Sequence, residues 1–407
     1  MGPIGRFCPS ARAIPTRLAQ GGAMASAETF PVEEYERRRA EVLALLTESQ
    51  VSAAIVTAPE DVYYLSGLHN QGHFVFTALV LDSRSRTATL VAREMEAATA
   101  AQQADGCAFA GYRDGQDPCD VLYDVVQPLT GDERRIGCQP DSLSLPVAVW
   151  RGMDRRLGSP VWVDCAGVLA EAQAIRTDLE IACLREAGRL SDIGVEAGID
   201  AAAGECSGGE VVGAIQDAML SAGSDYPGFV PLVRPVQQIR QEHVAWTDEP
   251  ITSTDTLFFE LSAAVRRYHA PLGRTVRPHG SERCGPAVDI AHAGLEAILG
   301  GLCPGRTAQD VYGDWKTTIE ARLGRGYQRH HCGYSVGIGF PPSWMAGRVD
   351  SLRPGNSMKL RYGMTFHIQS WVVDPHIGTY AISDTALVTN DGGEPLTATP
   401  RYPVRPA

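Results

Sequence analysis

"FFELSAAVRRYHAPLGRTV", residues Phe258 to Val276, organises the second half of this chain. Two apolar runs flank Arg266-Arg267, the pattern of an antiparallel β-hairpin. "LFFEL" is apolar at both parities, which predicts a strand buried on both faces. Glu260 sits inside that strand, and a buried carboxylate requires a partner or a function. The expected register sets Glu260 opposite Pro271, placing Glu260, Ser262 and His269 on one face. A half-solvated strand wearing polar side chains is the plainer account, and "LFFEL" argues against it.

The chain has 407 residues, enough for two domains and a large core without a disulfide or metal staple. Apolar residues make up 44% and charged residues 21%, and no apolar run is long enough for a bilayer span, so a globular protein without membrane insertion is expected. The net charge of −12 repels a phosphate backbone, which argues against nucleic acid as a partner. Ten cysteines without a C-x-x-C pair, and no secretory signal, predict reduced thiols and a cytoplasmic location. Residues 1–27 contain Arg6, Arg12 and Arg17 and no acid; they read as a disordered leader, or as an early start with Met24 as the alternative.

Tyr35, Val42, Leu43 and Leu46 stand near helical spacing, and strand-like runs follow at 51–57, 73–82 and 87–93, with further ones in "RRIGCQ" and "PVWVDC". Residues 28–175 are expected to form an α/β domain with a mixed sheet. The region of Arg176 to Glu180 opens a long helix and a second domain over 176–398, with a short tail at 399–407. Helices near 208–221 and 287–302, a capping box at Thr307 and Asp310, and late strands in "MTFHIQSWVV" and "YAISDTALVT" give an α+β fold. His243 lies in a polar loop seventeen residues before Glu260. Tyr334 and Trp344 flank the Gly-rich "GYSVGIGFPPSW", and His367 and Gln369 alternate onto one side of a strand.

Taken in order, "APEDVYYLSGL", "IRTDLEIACLREAG" and "LRYGMTFHIQS" resemble the creatinase/prolidase/methionine aminopeptidase family, with its pita-bread catalytic domain. The resemblance implies a homodimer. Family metallopeptidases hold two metal ions through two Asp, one His and two Glu, and the matching positions here are Glu260, Pro271, Tyr334, Gln369 and Ser383. One carboxylate among these five would coordinate a divalent ion badly, so no metal and no cofactor are implied. In the family's metal-free branch, creatinase's catalytic His matches His243, while its guanidinium-binding Glu positions fall on Gly273 and Gln369. "DYPGFVPL", "SLRPGNSMKL" and "GMTFH" resemble ectoine hydrolase more closely.

The resemblance thus implies water attack on a small cyclic amidine. Glu260 would hold the ring charge and His243 would act as general acid and base. His269, Tyr334, Trp344, Gln369 and His367 are the expected pocket residues, with Arg240 or Arg234 meeting a substrate carboxylate. A catalytically inactive pita-bread domain that binds a peptide or protein, and a creatinase-like hydrolase with another small substrate, are the alternatives.

Overall fold

The computed structural model describes residues 30–402 apart from 133, 248, 253–254, 278–284, 325 and 346–349; the expected leader and residues 403–407 of the expected tail lie outside them. In the first domain, β1 (Ala53–Val56), β2 (Ala78–Asp82), β3 (Thr87–Arg93), β4 (Cys107–Tyr112), β5 (Arg135–Cys138) and β6 (Val161–Asp164) form one sheet, ordered β4-β3-β2-β1-β5-β6. Its pairings β1·β2 and β2·β3 are antiparallel and the others parallel, the mixed sheet expected. Strand alternation divides its side chains between two cores. Ala54, Val56, Leu79 and Leu81 pack with α1 (Val32–Glu48), whereas Ile55, Val80 and Ile136 pack on the other face. Helices α2 (Pro59–Ser66), α3 (Ala97–Gln103), α4 (Pro118–Val126), α5 (Val147–Leu157) and α6 (Ala166–Ala174) complete the domain.

Helix α7 (Asp178–Ala202) starts where Thr177 and Glu180 close a capping box. The same device opens α8 (Gly208–Ser221) at Ser207 and Glu210, as well as α10 (Ala308–Leu323) at the expected Thr307 and Asp310. Pro286 occupies the first turn of α9 (Pro286–Gly301), where its missing N–H costs nothing.

The strands of this domain, in chain order, are β7 (Cys206–Ser207), β8 (Leu232–Pro235), β9 (Pro250–Ile251), β10 (Leu257–Leu261), β11 (Ala264–Val265), β12 (Tyr268–His269), β13 (Leu272–Val276), β14 (Gly333–Ser335), β15 (Thr365–Asp374), β16 (Gly378–Thr389) and β17 (Gly392–Pro395). The main sheet runs β14-β15-β16-β13-β10-β8 with β17 on β16, antiparallel throughout. Apolar clusters under α7 with α8, and under α9 with α10, cover it. All five residues of "LFFEL" are buried, as the sequence predicts.

The hairpin differs from expectation in its register. Glu260 pairs with Gly273, not Pro271. The chain between β10 and β13 forms its own small ladder, β11·β12, closed by Arg266 and Arg267 at φ 48° and 65°. Two successive left-handed residues match the twist of a tight hairpin turn, and non-glycine residues there need support from outside. Asp225 accepts the Arg267 N–H at 3.0 Å, while the buried Arg267 guanidinium donates to the carbonyls of Gly339 and Tyr226.

Arg38 joins the two domains. Fully buried, it donates to Glu34 at 2.8 Å, to the Tyr64 carbonyl at 3.2 Å and to the Tyr268 hydroxyl at 3.3 Å, with Glu180 at 3.6 Å. The Tyr268 hydroxyl in turn donates to Glu180 at 2.5 Å, so α1, α2, α7 and β12 meet at one charge network. Removing one partner of a buried pair leaves the other charge uncompensated, so Arg38→Met is expected to cost about 3–5 kcal/mol in urea unfolding. A loss below about 1 kcal/mol, the level of a surface pair, would show that the network contributes little.

Candidate functional site

Four antiparallel strands place one residue each in a single cross-strand row. Glu260 on β10 pairs with Gly273 on β13, Gly273 with Ser383 on β16, and Ser383 with Gln369 on β15. Glycine is required at its place in that row, because a Cβ on Gly273 would lie 2.6 Å from Ser383 Oγ and 3.0 Å from the Phe258 ring. The opened space lets side chains from β10, β15 and β16 converge. Gln369 Nε2 donates to Glu260 Oε1 at 3.3 Å, and His367 Nε2 is 3.9 Å from the same oxygen.

His367 is the centre of the cluster and is fully buried. Its Nδ1 lies 2.8 Å from the Tyr334 hydroxyl and 3.4 Å from Gln369 Nε2, and its Nε2 lies 2.7 Å from Ser383 Oγ. Trp344 Nε1 donates to the Tyr334 oxygen at 3.0 Å. One assignment fits these contacts: Trp344 N–H to Tyr334, Tyr334 O–H to His367 Nδ1, and His367 Nε2–H to Ser383. Burial, reinforced by His331 and Arg274, lowers His367 to about 3, so the imidazole is neutral. Burial also raises Glu260 to about 7, offset in part by Arg234 and Arg329 and reinforced by Glu242.

The remaining expected residues stand apart from this cluster. His269 uses both ring nitrogens on backbone: Nε2 accepts from Gly228 N–H at 2.9 Å, which leaves Nδ1–H to donate to the Arg267 carbonyl at 2.8 Å. It pairs with Ala264 in the β11·β12 ladder, and no hydrogen bond between it and Glu260 is present among the described residues. His243 is exposed on the loop after β8, and no contact between it and Glu260 is present among the described residues. Arg240 is also exposed.

Arg234 has another task. It is fully buried on β8, and its guanidinium donates to the carbonyls of Gln241, Glu242 and Val244 at 2.7, 3.1 and 2.8 Å. It therefore clamps the loop that carries His243 to the strand beside β10. His331, not singled out by the sequence pattern, lies 5.5 Å ring to ring from Tyr334, with a buried Nδ1 that has no hydrogen-bond partner among the described residues. Its adjacent-histidine context, His330-His331, gave no periodic signal.

Five positions that would carry metal ligands in the resembled peptidases hold a carboxylate, a proline, a phenol, an amide and a hydroxyl. The one imidazole added among them, His367, is already committed at both nitrogens to Tyr334 and Ser383. That donor set does not fit a divalent ion. What it can do is present one titratable carboxylate, flanked by an amide, to a cationic group.

Comparison with known proteins places these elements. Residues 182–390 match the model of metallopeptidase family M24, and residues 38–175 match the creatinase/prolidase N-terminal domain. The chain is 28% identical over 392 residues to an uncharacterized hydrolase/peptidase y4tL of Sinorhizobium fredii, covering 92% of this chain and 97% of that one. It is 27% identical over 402 residues to the ectoine hydrolase of Halomonas elongata, covering 91% and 97%. Among solved structures, the prolidase of Pyrococcus horikoshii superposes with a TM-score of 0.77 at 20% identity, covering 90% of this chain and 99% of that one.

The raised Glu260 has a measurable consequence. A carboxyl that titrates near 4.5 when unfolded and near 7 when folded favours the folded state in its protonated form. Its contribution is intact below about pH 4.5 and is lost as pH rises towards 7, by about 3 kcal/mol. Urea unfolding of Glu260→Gln and the parent chain at pH 5 and pH 8 isolates it: the variant is expected to gain on the parent by that amount at the higher pH. A difference between the two proteins that does not change with pH would mean that Glu260 titrates as an ordinary carboxylate.

Proposed function

The chain belongs to metallopeptidase family M24, and on that premise we propose that it is a hydrolase that opens a small cyclic amidinium of the ectoine type with water and without a metal ion. The observation that carries this reading is the row itself: Glu260 is its one carboxylate, placed where the resembled peptidases hold metal, and the other positions are neutral. An amidinium ring N–H is a charge-assisted partner for such a group. A cation arriving beside Glu260 opposes the burial that raises it to about 7 and holds it ionised near neutral pH. The Gln369 amide orients the carboxylate, and Tyr334 with Trp344 forms a fixed wall.

In the reaction, water oxygen bonds to the amidine carbon and the C–N bond to one ring nitrogen breaks. Both protons of the water end on the departing nitrogen, one as the oxygen adds to carbon and the second as the carbonyl forms and the C–N bond breaks, and the product of an ectoine-type ring is an acetylated diamino acid. The resemblance to creatinase supports His243 as the proton carrier. His243 stands on the loop that Arg234 ties to β8, the strand beside the one that carries Glu260. A cytoplasmic setting and a small-molecule partner belong to the same proposal.

A second reading, a non-catalytic domain that binds a peptide or protein, draws support from the saturation of Tyr334, His367 and Ser383 by one another. Ring opening followed by NMR in excess chelator separates the two. Ectoine or hydroxyectoine is expected to turn over, with His243→Ala slower by about 10² to 10⁴ and Glu260→Gln weakened by about tenfold or more. Absence of turnover with both compounds, or turnover that the chelator abolishes, would sink the proposal. Turnover unchanged in His243→Ala would remove that residue from it.

A further inference from the structure

A cavity of about 330 Å³ lies between the domains, and none of Glu260, Tyr334, His367 and Gln369 lines it. Its wall is formed by α2 and α6 of the first domain and by β14, β15 and the 340–343 segment of the second. Glu60 and Asp61, adjacent on α2, both line it and are both more than nine-tenths buried. Acidic residues in a first helical turn are commonplace. These two are unusual in being buried without an ion pair to Lys or Arg among the described residues.

Neutral donors hold both carboxylates in place. Gln139 Oε1 accepts from the N–H groups of Thr57 and Ala58 at 2.7 and 3.0 Å, which fixes its amide so that Nε2 donates to Asp61 at 2.5 Å. Gln173 Nε2 donates to the other Asp61 oxygen at 2.5 Å, and the Phe340 N–H donates to Glu60. The Arg176 guanidinium, the cation in the same wall, is committed to the carbonyls of Gln173 and Val336 and to Thr365. Burial raises Glu60 to about 7 and Asp61 to about 6, with the neighbouring carboxylates reinforcing it. The opposite wall is apolar, with Phe340, Met358, Met364 and Phe366.

We infer that this cavity is a second binding site, for a small organic cation with an apolar body: an amine or amidinium whose charge meets Glu60 and Asp61 and whose hydrocarbon part lies on Met358, Met364 and the two phenylalanines. Buried carboxylates oriented by amides and facing an open volume of ligand size are a cation's half of a charge-assisted pair. A ligand there touches both domains, so its binding stabilises their packing as well. It also lies against Thr365, two residues before His367 on β15.

Calorimetric titration of the full chain with benzamidine, and with the uncharged benzamide as its isostere, tests the inference. Benzamidine is expected to bind the parent protein more tightly than benzamide does. Binding should weaken by about tenfold or more in Glu60→Gln and in Asp61→Asn, the loss of one charge-assisted hydrogen bond. Ala170→Leu, which intrudes on the cavity and leaves both carboxylates in place, should also weaken binding while circular dichroism reports an intact fold, so the test does not depend on the carboxylate variants folding. Benzamide binding as tightly as benzamidine, benzamidine binding unchanged in Glu60→Gln, Asp61→Asn and Ala170→Leu, or no binding to the parent at about 10 mM would each overturn it.

Discussion

Cross-strand register is the constraint on which the candidate site depends. Glu260 and Gly273 come from one pair of strands within 257–276, and Gln369 and Ser383 from another within 365–389, and the β13·β16 ladder makes the two pairs neighbours. A slip of one residue in any strand would turn its member to the opposite face. The absent side chain at Gly273 completes the constraint, since the space it leaves lets Ser383 approach and lets His367 reach from β15 to both.

The parts surrounding the row maintain it by different means. Helices α7 with α8 and α9 with α10 cover the sheet through apolar contact, which is strong but not directional. Direction comes from buried arginines. Arg274 donates to the Ser383 carbonyl and pairs with Asp384 at 2.6 Å, with both side chains about 1% exposed, which pins β13 to β16 at the row. Arg267 holds the left-handed turn beside it, Arg234 holds the His243 loop, and Arg38 ties the first domain to β12. Each of these guanidinium groups satisfies backbone carbonyls that a tight turn or loop would otherwise bury unpaired.

The two acidic centres share one electrostatic logic. Glu260 in the row, and Glu60 with Asp61 in the interdomain cavity, are carboxylates whose charged forms burial disfavours and whose hydrogen bonds come mainly from neutral groups. Such groups are poised for a cation, because a positive ligand supplies what the folded chain withholds. The His367 imidazole is the complement: neutral, and hydrogen-bonded at both nitrogens.

Much of this fold was legible in the residues. The capping box at Thr307 and Asp310, the both-sided burial of "LFFEL", the first-domain strands other than β4 and the shared side of His367 and Gln369 all follow from local spacing and side-chain alternation. Local pattern also marked Glu260 as a buried carboxylate that requires a partner or a function. The pairing that goes with a turn at Arg266-Arg267 is Glu260 with Gly273, one turn position later than a Glu260–Pro271 pairing requires, and that turn is held by Asp225, Tyr226 and Gly339. Local pattern could not show that His269 serves backbone groups, that His367 joins Tyr334 to Ser383, or that Glu60 and Asp61 face a cavity. Those relations depend on atoms from segments tens to hundreds of residues apart, and they exist only after the chain has packed.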